Sequence, residues 1–180
     1  MRLIEKRLAA RELEEEVMNY PIVLSLVQAE VMLQARREQR SKIEVSPDLG
    51  ISKVSAELSE EGVRFPGGEL VKWRDVEKIK KAEINCFMVE NGEVRSIQTF
   101  SEATNRVCSL LATKKTPSML IAGFTMHRIV NIDPMEDTLK KIATIAPLTG
   151  RVLDTATGLG YTAIEAAKTA QEVITIELDP

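Results

Sequence analysis

The sequence predicts an α+β protein, and three features carry that expectation. The opening is apolar at helical spacing, the middle alternates with a period of two, and the close reads strand, glycine turn, helix, strand. The expected order is an amino-terminal helical segment (1–40), a mostly antiparallel β domain (41–130), a connecting helix (131–149) and the first β-α-β unit of a larger α/β fold (150–180).

Composition sets the outer limits. At 180 residues there is room for one ordinary domain or two small ones, and an apolar fraction of 44% supports a real core. Net charge is −3, which excludes a global basic field for nucleic acid and leaves room only for a local patch. Aromatic residues make up only 4%, which counts against stacking platforms for single-stranded bases. Arg2, Glu5, Lys6 and Arg7 lead into no signal-type apolar run. The apolar run from Pro21 to Leu33 is interrupted by Ser25, Gln28 and Glu30 and is too short to span a bilayer, so no membrane association is expected. Cys86 and Cys108 form no CxxC pair and read as buried, reduced thiols, which suits a cytoplasmic location.

Taking the elements in order, residues 2–18 read as an exposed helix through Ile4, Leu8, Leu13 and Val17. Asn19-Tyr20-Pro21 breaks it, and Pro21 suits the first turn of a second helix reaching about Arg40. That helix is apolar on more than one side, so it is expected to pack on its own domain or to pair two copies of the chain through residues 21–40. Its end, ARREQRSK, reads as a solvated basic tail, with a nucleic-acid contact as the alternative.

From Lys42 to Ile129 come short alternating runs: KIEVS, ISKVSAELS, GVRFPGGELVKW, NCFMVENGEVRSIQTF and SMLIAGFTMHRI. Asn91-Gly92 is the clearest hairpin turn, because both residues accept positive φ. A short helix over Trp73–Ala82 interrupts the strands, and Asp133-Pro134 opens another that closes before Pro147.

In the closing segment Val152 and Leu153 are expected to form a buried strand ending at Asp154. Gly158 and Gly160 permit a tight turn, Tyr161–Ala170 reads as a helix, and EVITIE is a second, parallel strand with Glu177 at its carboxyl end. Ligands of open α/β sheets bind outside such strand ends, so Asp154, the glycines and Glu177 should converge. The bare pattern GLGYTA also fits a dinucleotide turn. Charge separates the two readings. A carboxylate about 5 Å from a pyrophosphate opposes it by roughly 3 kcal/mol at an effective dielectric of about 20. S-adenosylmethionine has no phosphate and carries an ammonium and a sulfonium, so Asp154 attracts it. Its carboxylate can meet the glycine-loop amides, and Glu177 can accept from ribose hydroxyls.

VLDTATGLGYTAIEAA followed by VITIELDP resembles the first two motifs of class I S-adenosylmethionine-dependent methyltransferases. With MHRI and DPMEDT before it, the stretch is similar to a group of predicted archaeal methyltransferases. The resemblance implies a Rossmann-like methyltransferase fold in which Asp154 lies near the methionine ammonium and Thr155 to Gly160, Thr157 included, wrap the methionine portion. It also implies that Glu177 holds the ribose and Leu178 packs on adenine. Members of the family continue for on the order of 100 residues past such motifs. The chain is therefore expected to be the amino-terminal portion of a longer methyltransferase, inactive by itself, with Val173, Ile174 and Ile176 facing water or a partner.

No catalytic residue, metal-ligand cluster or nucleophile triad is identified. The sole histidine, His127, reads as structural or solvated. Its functional alternative is that His127 and Arg128 line a substrate entrance or touch the cofactor carboxylate. Asp133, Glu136 and Asp137 read as a favourable helix start. The methyl acceptor, RNA or a small molecule, is left open. An aminopropyltransferase is a close variant, from whose more glycine-rich first motif DTATGLG departs. A module that binds RNA or protein is the second class.

Overall fold

The structure is a computed structural model that describes residues 21–178. The helix expected over residues 2–18 lies outside the described residues. The chain divides into two compact units. Among the described residues, one holds Pro21–Ala82 together with Phe87–Arg95, and the other holds Glu83–Cys86 and Ser96–Leu178.

The first unit opens on a correction. Ile22–Leu24 form strand β1, antiparallel to β6 (Phe87–Glu90) with Ile22 opposite Val89 and Leu24 opposite Phe87; they are not the start of a helix. Two β-branched residues favour the pleated partner surface, and Ser25 then stops the strand by capping the next helix. Its Oγ accepts from the Val27 N–H at 3.3 Å, while its own N–H donates to Gln28 Oε1 at 3.0 Å, a capping box. Helix α1 runs only from Leu26 to Arg37 and buries Ala29, Met32, Leu33 and Ala35. Val27 and Val31 stay exposed.

Strands β2 (Lys42–Val45), β3 (Val54–Leu58), β4 (Gly62–Arg64) and β5 (Leu70–Lys72) form an antiparallel meander in chain order. Helix α2 (Trp73–Lys81) comes directly after β5 and buries Trp73, Val76 and Ile79. Leu24, Met32, Val63, Val71, Val76, Ile79 and Val89 share one core at 0–1% exposure. Each such side chain contributes about 1.5–3 kcal/mol on burial. The hairpin between β6 and β7 (Glu93–Ser96) turns where the sequence places it, with Asn91 at φ 53° and Gly92 at φ 75°.

The second unit contains an antiparallel sheet ordered β11-β10-β9-β8. Its strands are β8 (Gln98–Ser101), β9 (Arg106–Leu111), β10 (Ser118–Ile121) and β11 (Phe124–Thr125). Cys86 and Cys108 are buried and unbridged, and burial pushes the Cys86 thiol up to about 12. Helix α3 (Pro134–Ala143) is capped by Asp133, whose carboxylate accepts from the Met135 N–H at 3.0 Å.

Then β12 (Arg151–Asp154), α4 (Tyr161–Ala167) and β13 (Glu172–Thr175) make a β-α-β unit with parallel strands. Two expectations are corrected here. The first strand is not buried, since Leu153 is 61% exposed and Val152 only half-buried. The helix stops at Ala167, short of Ala170. Both reflect a two-stranded sheet that offers little to pack against. Ile174 and Ile176 are exposed, and Val173 is half-buried. Among the described residues no helix is long and apolar enough to cross a membrane.

Candidate functional site

The glycine turn joins β12 to α4. Gly158 at φ 49° and Gly160 at φ 75° occupy the left-handed region, where a side chain costs roughly 1–2 kcal/mol. Gly160 caps α4 without a side chain, and the loop is closed by Gly160 N–H to Thr157 O at 2.7 Å and Thr157 N–H to Ile176 O at 3.0 Å. The turn is thereby tied to the chain just beyond β13.

Two carboxylates flank it. Asp154 ends β12, directly opposite Thr175 in the parallel register. Its Oδ2 accepts from the hydroxyls of Thr175 at 3.1 Å and Thr162 at 3.4 Å. Thr157 and Thr175 share a hydroxyl hydrogen bond at 2.6 Å. Among the described residues no cation pairs with Asp154, so hydroxyls orient its charge without neutralising it. On the other strand, Glu177 Oε2 accepts from the Gly158 N–H at 2.7 Å, and Oε1 from the Leu178 N–H at 2.8 Å. Asp154, Thr157, Gly158, Gly160 and Glu177 therefore gather at one place. Thr155 is exposed at the loop, and Leu178 is 73% exposed beside Glu177.

Thr162 and Thr175 were not singled out from the sequence. The register could have found Thr175, because pairing Val152 with Val173 sets Asp154 opposite it. Tyr161 was also missed. Its hydroxyl donates to Pro117 O at 2.8 Å and so fastens the first residue of α4 to the lead-in of β10. Burial, with smaller contributions from Asp133 and Cys86, pushes this phenol up to about 12, so it remains a donor.

His127 packs against that ring, with centroids 5.2 Å apart and planes tilted by 48°, and its Nδ1 shares a hydrogen bond with Ser118 Oγ at 3.0 Å. Burial and then the Lys141 charge lower its affinity for a proton, and Asp137 offsets part of this. Arg128 is engaged elsewhere, donating to Asp137 Oδ1 at 3.2 Å, while Lys141 reaches Asp137 Oδ2 at 2.7 Å. Asp137 is thus a buried carboxylate between two cations, held below the usual range chiefly by Lys141. Asp133 holds α3 in place as well as capping it. Burial alone would raise it, but the Thr116 N–H and hydroxyl, at 3.0 and 2.8 Å, and the helix N–H groups keep it below the usual range. No group of three or more metal-ligating side chains converges among the described residues.

No protein-family model matches the chain. Over 165 residues it is 34% identical to the uncharacterized protein MJ1233 of the archaeon Methanocaldococcus jannaschii. The match takes in 91% of this chain and 54% of that protein, so the chain spans about half the length of the curated relative it matches.

Proposed function

We propose that the chain contributes the first β-α-β unit of a Rossmann-like, S-adenosylmethionine-dependent methyltransferase, and that the glycine turn with Asp154 and Glu177 takes that cofactor. One observation carries the reading: Asp154, fixed by two hydroxyls and paired with no cation among the described residues, stands beside a turn whose Gly158 amide faces Glu177.

The residues fit the cofactor by charge. An ammonium meets an oriented carboxylate at Asp154, whereas a pyrophosphate would be repelled there. The glycines keep the backbone open, since a Cβ built at Gly158 would meet only the Met119 Cε, at 3.9 Å. Glu177, steered by two backbone amides, presents acceptor oxygens suited to vicinal ribose hydroxyls. When bound, S-adenosylmethionine supplies an electrophilic methyl carbon on sulfonium sulfur. The chain's own part is to hold and orient; methyl transfer is an in-line displacement that depends on alignment.

Calorimetry on the full-length gene product tests this, with S-adenosylmethionine and NAD titrated separately. Binding of the sulfonium ligand should weaken at least about tenfold, or about 1.4 kcal/mol, in Asp154→Ala and in Glu177→Ala. Full-length protein that ignores S-adenosylmethionine, or that seats NAD with its phosphates against Asp154, would overturn the reading.

A further inference from the structure

Helices α1 and α2 of the first unit face each other across a cleft of about 470 Å³ lined by Leu33, Arg36, Arg37, Glu77 and Lys80. Three cations line this cleft: Arg36, Arg37 and Lys80. Arg40, Lys42 and Arg74 each pair with a carboxylate, namely Glu38, Glu57 and Asp75. Arg36, Arg37, Lys78, Lys80 and Lys81 have no carboxylate within ion-pairing distance among the described residues. Instead Arg36 lies 4.6 Å over the Trp73 ring, and Arg37 donates twice to Gln34 Oε1, at 3.2 and 2.6 Å. Lys78 reaches Val94 O at 3.5 Å and stands 5.9 Å over the Phe87 ring. Helix dipoles account for cations in each last turn, but not for their meeting across a cleft that neither helix forms alone. Glu77 is the one acid in its lining.

We propose that this cleft binds single-stranded RNA through its phosphodiester backbone. The inference stands on the first unit alone and does not depend on the methyltransferase reading. Three lining cations, Arg36, Arg37 and Lys80, against the single acid Glu77 match an anion of regular, repeated charge better than the scattered carboxylates of an acidic peptide. The guanidinium of Arg36, immobilised on Trp73, gives an unstacked base a planar surface, and Leu33 adds an apolar wall. A duplex has no free base faces to place there.

Fluorescence anisotropy on the full-length protein, with a labelled single-stranded RNA of about 20 nucleotides, tests the assignment. Three lining cations at about −0.7 each give a log–log salt slope of about −2.1, roughly a twentyfold loss of affinity between about 50 and 200 mM salt. The pair Arg37→Glu and Lys80→Glu should weaken binding at least about tenfold at low salt and flatten the slope by about 1.4. Lys53→Glu, exposed on the sheet side of the unit, should leave both unchanged. Circular dichroism melting checks that the variants fold. If the double reversal does not, Lys80→Ala with Lys81→Ala carries the same expectation at smaller amplitude. Failure to bind RNA at low salt, equal binding by the altered protein, or equal binding of duplex DNA or polyglutamate would each overturn the proposal.

Discussion

His127 illustrates how much a single side chain depends on its neighbours. A free imidazole titrates near about 6.5, and inside the second unit burial and Lys141 shift it downward while Asp137 partly opposes. Between the two values the unfolded chain binds more protons than the folded one. Stability therefore rises with pH in that window and is lost as pH falls below about 6.5. The urea midpoint of the wild type should drop between about pH 7.5 and about pH 5.5, and His127→Gln should drop less. Equal drops would remove the assignment. At this scale the candidate site was largely legible in sequence. Asp154, Gly158, Gly160 and Glu177 come together because strand ends and a glycine turn are local features with fixed geometry. The hydroxyls that orient Asp154 were not legible, since a threonine carries no pattern of its own and Thr175 acquires its role only through strand register.

Elements were read well where local chemistry decides them and poorly where a distant partner does. Asn91-Gly92, the helix from Trp73 and the Asp133-Pro134 start all stand where turn and cap signals put them. Ile22–Leu24 became a strand because Phe87–Val89 is available to pair with it, which no local window reveals. Strand β9 was also missed. Its burial does not alternate cleanly, because it lies between β8 and β10 and is partly covered along its length. The cap on α1 gives a direct measurement. Ser25→Ala removes the Oγ acceptor of the Val27 amide and the hydroxyl that donates to Gln28 Oε1 at 2.7 Å. Denaturant unfolding should register a loss of about 0.5–2 kcal/mol, with Ser25→Thr retaining most of the stability. An unchanged midpoint in Ser25→Ala would mean that packing of Met32 and Ala29 alone sets this helix.

Across the whole molecule, the two units are built differently. The contiguous apolar core belongs to the first, where Val63 and Val71 are fully enclosed. In the second, Leu153, Ile164, Ile174 and Ile176 stay exposed around a sheet of two strands. Paired strands without further neighbours are marginal in water. Amide hydrogen exchange should accordingly be slowest at Val63 and Val71 and much faster along β12 and β13. Comparable protection in both would refute a stability ranking drawn from enclosure. The division into units was invisible from composition, because Glu83–Cys86 joins the second unit while the residues on either side of it belong to the first.

The pairing of β1 with β6 bears on how the chain is made. Leu24 meets Phe87 about sixty residues downstream. At a ribosomal pace of about 5–20 residues per second, β1 emerges roughly 3–12 s before its partner. During that interval Ile22 and Leu24 lack the strand they pair with in the folded unit, and only Val23 has a partner already made, at Pro47 O. Slowing elongation between these two points lengthens the time for which the two strands of this pair are apart.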